Sequence, residues 1–278
     1  MISVKNYVDS IDGTGILESG EKISGFFRNE QMSASLIKAW ETCPANAIIN
    51  QVLQEESEPL LVGSKTHAVL EKCFSEGLSR FEGLQLCTPE KLEVEPSAAS
   101  KVQAYVEAYF NMKPYNKITD DTEYLTEQYI STEVSPLGVK LPVPLLGFID
   151  RIDIAPNGTF LIDYKTASRA PKEDQYIDQM IIYKWIYEAF FGQPVKGVYV
   201  ASLYKCNPKY IKQNITLKKE SKLVDKIFLV DEEVKRAINN GNKFPKRKGW
   251  HCKWCPFQAK CDKNTCGDEV ELSTNPFA

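Results

Sequence analysis

Two carboxylates and an amine set the chemistry open to this 278-residue chain. The run Gly147-Phe148-Ile149-Asp150-Arg151-Ile152-Asp153-Ile154 is followed by Phe160-Leu161-Ile162-Asp163-Tyr164-Lys165-Thr166. Ile149, Ile152 and Ile154 predict an apolar lining, and Pro156-Asn157-Gly158-Thr159 predicts the turn of a β-hairpin. Such a hairpin brings Asp150 and Asp163 from opposite strands to one end of a sheet. Like charges there raise each other's pKa unless a cation lies between them. Magnesium suits that place, because it takes one or two carboxylates and fills its shell with water and phosphate oxygens. Lys165, two residues beyond Asp163, projects from the same face of a strand. There it can orient a water or offset charge on a phosphate. Asp-x-Lys is common in solvated hairpins, so its meaning rests on its company.

That company is a set of motifs at separate places. Tyr176 to Phe191 has apolar residues at helical spacing, which puts Gln179 and Tyr183 one turn apart on one face. Upstream, Leu61-Val62-Gly63-Ser64-Lys65-Thr66-His67 places one of the chain's two histidines on a predicted helix that continues to about Phe74. A lone helical histidine is usually structural. Ser33-Ala34-Ser35-Leu36-Ile37-Lys38-Ala39-Trp40-Glu41-Thr42-Cys43-Pro44 opens on an N-cap serine and ends at Cys-Pro.

Taken in order, these motifs resemble the PD-(D/E)XK nucleases, and within them the RecB-type exonuclease branch. The resemblance covers about residues 33–263. It implies an α/β fold with a mixed central sheet flanked by helices. It implies that Asp150, Asp163 and Lys165 are catalytic, with Gln179 and Tyr183 packed near the active site and the DNA strand. It also implies that His67, Asp150, Asp163 and the Tyr164 backbone carbonyl hold Mg2+ or Mn2+. Glu127 is a minor candidate, on a strand predicted over 123–130, and a solvent-facing glutamate there is equally expected. Aromatic residues could stack unpaired bases.

The remaining elements position these groups. Residues 75–100 predict a loop. Lys101 to Met112 predicts a helix, Val195 to Tyr204 a largely buried strand, and Lys222 to Asn240 a further helix. The expected organisation is an extension over 1–30, one nuclease domain over 31–266 and a tail over 267–278. Within the domain, 31–115 is a helical opening part, 116–205 the catalytic core and 206–266 a basic part.

Composition, at 43% hydrophobic and 26% charged, is that of a globular protein. No apolar run long enough for a membrane span and no secretory signal is present, so a cytoplasmic place is expected. The formal net charge is −3, yet residues 203–263 hold sixteen Lys or Arg against six Asp or Glu. The densest part, Lys243, Lys246, Arg247 and Lys248, predicts a path for a phosphate backbone, though a solvated basic face would look the same.

Of eight cysteines, Cys252, Cys255 and Cys261 stand at C-x2-C-x5-C spacing. In a reducing compartment this favours metal over disulfides. One early cysteine, Cys43, with three late ones resembles AddB and the small CRISPR-adaptation nucleases, and implies a [4Fe-4S] cluster. Zinc is the competing reading, and Cys266 or His251 could replace one ligand. Cys73, Cys87 and Cys206 have no such spacing. The expected activity is a free-standing exonuclease favouring single-stranded DNA, in recombination, repair or CRISPR adaptation. Expected partners are an annealing protein, a helicase or CRISPR-adaptation proteins. A non-catalytic DNA-binding scaffold and a zinc-containing DNA-binding protein are the alternatives.

Overall fold

The computed structural model describes residues 31–47, 57–115, 121–166, 169, 171–239, 243–255 and 269–271. In chain order the elements are β1 Met32–Ser33, α1 Ala34–Thr42, α2 Glu58–Ser75, α3 Arg80–Gln85, α4 Pro89–Leu92 and α5 Pro96–Phe110. There follow β2 Glu123–Thr132, β3 Leu145–Ala155, β4 Gly158–Lys165, α6 Ile177–Phe191, β5 Val195–Ser202 and β6 Lys209–Lys212. Last come α7 Leu217–Asn239, β7 Lys243–Pro245 and β8 Glu269–Glu271. The chain divides into two compact units, one of Glu56–Val134 with Leu146–Glu220, the other of Met1–Glu55, Ser135–Leu145 and Ser221–Ala278.

The first unit is built around β4, whose residues 159–164 are buried on both faces. A strand covered on both sides loses the polar alternation of a half-exposed one, and Phe160-Leu161-Ile162 is the result. β4 pairs antiparallel with β3, from Arg151↔Ile162 to Ala155↔Gly158, and parallel with β5. β5 pairs antiparallel with β6, and β2 pairs with β3, so the sheet is mixed. The parallel β4–β5 pair needs a crossover, and α6 provides it. Gly192 closes that helix at φ +66, the left-handed conformation that glycine adopts without strain.

One face of the sheet meets α2 and α5. Val62, Val69, Leu70, Val102 and Val106 of these helices join Phe160, Ile162 and Tyr164 in a buried cluster. Helix α6 packs against β3 at Gly147. A Cβ there would lie 2.8 Å from Tyr183 Cε1 and 2.9 Å from Ile186 Cδ1. Gly147→Ala is therefore expected to destabilise the protein by about 1–3 kcal/mol through overpacking. Urea unfolding checks this, and an unchanged midpoint would contradict it.

Residues 79–99 hold ordered helices where the sequence predicts a loop. Their starts are fixed by caps rather than by apolar periodicity. Ser79 and Glu82 form a reciprocal capping box, Thr88 caps α4, and Pro89 and Pro96 each open a helix.

In the second unit, Ser33 caps α1 as expected, its hydroxyl accepting from Leu36 N–H at 3.2 Å. Trp40 is buried, and its indole N–H donates to Glu233 of α7. Arg247 donates to both oxygens of Glu233, at 3.2 and 3.0 Å, and to the carbonyls of Trp40 and Glu41. Its guanidinium thus holds this unit together. Strands β7 and β8 pair antiparallel. No helix among the described residues is long and apolar enough to cross a membrane.

Candidate active site

The site forms where β3 and β4 part. Their ladder stops at Arg151↔Ile162, and the Asp150 carboxylate, one residue further, takes the Tyr164 N–H at 2.6 Å. Asp150 Oδ1 lies 3.4 Å from His67 Nδ1, which α2 brings in from the helical face. Both Asp150 and Asp163 are buried, at 6% and 1% exposure. Asp163 Oδ2 pairs with Lys165 Nζ at 2.7 Å, while Oδ1 accepts from Gln179 Nε2 at 3.0 Å. The same Gln179 nitrogen donates to Tyr183 OH at 2.8 Å. The residues at positions 150, 163, 165, 67, 179 and 183 therefore form one connected group.

Glu127 joins them. Its backbone takes φ +46 in the middle of β2, a conformation uncommon outside glycine, and one that re-aims a side chain. His67, Glu127 and Asp150 then offer three ligand atoms within 4.8 Å of one another. Two carboxylates and an imidazole suit Mg2+ or Mn2+ better than a thiolate-seeking ion. Asp163 Oδ2 is buried, and among the described residues its contact is the Lys165 ammonium. The donor set thus fits a divalent cation. Tyr164, expected as a ligand through its carbonyl, gives its N–H to Asp150 and sets its ring edge-on to His67 at 5.7 Å.

Burial and crowding of charge perturb the group. Asp163 is pushed up from 3.8 to about 6 by burial, with Lys165 opposing and Asp150 reinforcing. Glu127 is pushed up from 4.5 to about 7 by burial, with Asp150 reinforcing and His67 opposing. Burial disfavours the charged forms of His67 and Lys165. Asp150 nevertheless holds His67 above its ordinary value, and Asp163 does the same for Lys165.

These shifts fix a sign. Between pH 4 and 7 the folded carboxyls keep protons that unfolded ones release, so stability without metal falls as pH rises through that window. The stabilising His67–Asp150 contact is complete below the ordinary histidine value of 6.5 and fades as pH rises through the raised one. A divalent ion binds the deprotonated groups and so competes with those protons. Millimolar Mn2+ is expected to raise the melting temperature by about 3 °C or more at pH 7.5 and by clearly less at pH 5.5. Thermal melts check this; equal shifts at the two pH values would contradict it.

A cleft of 630 Å3 opens beside Lys165. Tyr105, Thr166, Arg169, Lys172 and Tyr176 line it, and the Tyr176 ring lies 5.0 Å from Lys165 Nζ. These cations escape a reading that weighs only runs of basic residues. A second feature with no sequence signal is Arg151, fully buried among Tyr109, Tyr164, Tyr210 and Asp153 behind the site.

The expected cluster and DNA residues lie in the other unit. Cys43 is buried and Cys252 and Cys255 are half-buried; Cys255 Sγ lies 3.5 Å from Asn46 Oδ1. Cys261 and Cys266 lie outside the described residues. His251 Nε2 is 2.9 Å from the Arg247 carbonyl. Lys248 is exposed and Lys246 half-buried, whereas Arg247 has the partners given above; the Lys243 side chain is outside the description. Cys73 and Cys87 are buried, which pushes their thiols up to about 11, and Cys206 is exposed.

Residues 31–262 match a protein-family model described as the PD-(D/E)XK nuclease superfamily. Among solved structures, a candidate exonuclease from Eubacterium rectale is similar, with 16% identity, a TM-score of 0.53, and coverage of 83% of this chain and 87% of that one. This likeness is one of fold. Another structure, SSO0001, aligns over 96% of this chain and 95% of its own at 14% identity and a TM-score of 0.39. No curated protein matches the chain.

Proposed function

The chain belongs to the PD-(D/E)XK nuclease superfamily, and on that premise we propose that it hydrolyses DNA phosphodiesters with a divalent ion, working from ends and favouring single strands. The observation that carries the reading is the junction of β3 and β4. There Asp150, Asp163 and Lys165 meet His67 and Glu127 within one small group whose two aspartates are buried.

In this mechanism His67, Glu127 and Asp150 would hold the ion, with Asp163 as a further carboxylate of the same group. When bound, a divalent ion makes water a stronger nucleophile near neutral pH and offsets charge on phosphoryl oxygens. Lys165, held at 2.7 Å by Asp163 and kept charged, faces the same group. Its ammonium can offset the negative charge that builds on the phosphate during attack. Gln179 bridges Asp163 and Tyr183, which fixes the acid's orientation and holds the Tyr183 hydroxyl beside it. Arg169 and Lys172 give the neighbouring cleft the positive lining that a phosphate backbone needs.

The wider setting follows from the motif order alone. We place the enzyme in DNA recombination, repair or CRISPR adaptation, supplied with strands by a helicase, an annealing protein or adaptation proteins. Cys43, Cys252, Cys255 and Cys261 would hold a [4Fe-4S] cluster of structural role, with visible absorbance as its readout and zinc content as that of the competitor.

The test of substrate and direction compares linear and circular single-stranded DNA with blunt duplex, each strand labelled at either end. The expected result is a ladder from one labelled end of the linear single strand, slower cutting of duplex and an intact circle. Rapid cutting of the circle would overturn the exonuclease assignment.

A further inference from the structure

Beside the site the sheet carries two large aromatic side chains in the open. Tyr129 is 53% exposed and Phe148 52% exposed, and their rings stand 4.9 Å apart at a 51° tilt. Phe148 precedes Asp150 by two residues in β3, so the strand's period sets both on one face. Tyr129 follows Glu127 by two residues in β2, and its contact with Phe148 brings it to the same place. The neighbouring Gly147 faces α6 instead, which leaves the aromatic pair uncovered by that helix. An exposed aromatic pair on the two strands that carry Asp150 and Glu127 points to a binding surface rather than core left over.

We infer that Tyr129 and Phe148 form a stacking platform for an unpaired nucleobase of the substrate strand, next to the site that Asp150 and Glu127 help to build. The inference rests on the nuclease reading above and adds to it the feature that selects single strands. The site's own carboxylates repel a phosphate backbone, so affinity has to come from elsewhere. Every base presents a π-face, and stacking on aromatic rings holds single strands with little regard to sequence. Two residues along a strand separate Phe148 from Asp150 by ~7 Å, so the pair stands within a nucleotide's reach of the site. Duplex DNA, with both faces of each base already covered, cannot use it.

The experiment measures binding of a fluorescent oligothymidylate to the inert Asp163→Asn protein in Mg2+, alone and with Tyr129→Ala, Phe148→Ala or both. Each alanine is expected to raise Kd by about 5- to 100-fold, the worth of one base–aromatic stack. Tyr129→Phe and Phe148→Tyr keep a ring and should keep affinity within about threefold. Removing a single base at one fixed distance from the cut should cost the same factor, and cost nothing further in the double variant. Alanine variants that bind within about twofold of their parent overturn the platform, as does a single-base loss that persists in the double variant. If the alanine proteins fail to fold, the single-base series on the parent decides, and equal losses at every position overturn the platform. Wild-type protein that cuts DNA normally while the variants bind unchanged sinks the platform alone. Protein that neither binds nor cuts any DNA sinks the nuclease reading with it.

Discussion

The Asp163→Asn protein is expected to hydrolyse single-stranded DNA about 10³-fold more slowly than wild type, or not at all, while melting within about 3 °C of it. The two halves of this result have separate causes. Asparagine keeps the size of the side chain and one oxygen for Gln179, so the packing at this 1%-exposed position survives. Burial and the nearby Asp150 already penalise the ionised acid, and neutralising it removes that penalty. Lys165 loses its 2.7 Å counter-ion at the same time, which offsets the gain and leaves stability nearly level. Catalysis has no such compensation, because the anionic charge beside the metal position and the anchor of Lys165 disappear together. Single-turnover hydrolysis and a thermal melt read both halves. Activity within tenfold of wild type would remove Asp163 from the catalytic group.

Arg151→Met is expected to produce the largest loss of stability of any single change considered, about 3–5 kcal/mol. Arg151 is fully buried, with Nε 2.7 Å from Asp153 Oδ1 and Nη2 donating to Asp153 Oδ2 at 3.0 Å. It also donates to Tyr109 OH at 2.7 Å and Tyr164 OH at 3.3 Å, and stacks 4.2 Å from the Phe74 centroid. Methionine fills part of that space but strands a 1%-exposed carboxylate, for which, among the described residues, the Tyr115 hydroxyl remains as a donor. Adding Asp153→Leu removes the stranded charge, so the double variant should recover more than half of the loss. Urea unfolding of the four proteins in the cycle checks this. Additive losses would show that the ion pair is not what holds Asp153 in place. Tyr164 links this cluster to the site, since its hydroxyl meets Arg151 and its N–H meets Asp150.

Much of the site is legible in the sequence because its geometry follows from strand and helix periods. The hairpin puts Asp150 and Asp163 together, and a spacing of four puts Gln179 and Tyr183 within hydrogen-bond reach. What sequence does not carry is backbone strain and long-range burial. Nothing in Glu123–Thr132 signals that residue 127 takes a positive φ, so Glu127 reads equally as ligand or solvated glutamate. Arg151 sits in an alternating run, where an arginine is ordinarily expected at the surface; only Tyr109 and Tyr210, 42 and 59 positions away, make its burial possible. Arg247 reads as part of a basic run, yet Glu233 and the Trp40 and Glu41 carbonyls take up its donors. The short helices over 79–99 are set by caps and prolines, which apolar periodicity does not register.

The central claim is that the group around Asp150, Asp163 and Lys165 cuts phosphodiester bonds with a divalent ion. Its most direct test is hydrolysis of end-labelled single-stranded DNA by wild-type and Lys165→Ala protein, first in EDTA and then with Mg2+ or Mn2+ restored. The account predicts no cutting in EDTA, cutting by wild type once metal returns, and at least about 100-fold less by Lys165→Ala under the same conditions. Cutting that persists in EDTA, or that Lys165→Ala retains in full, would contradict it.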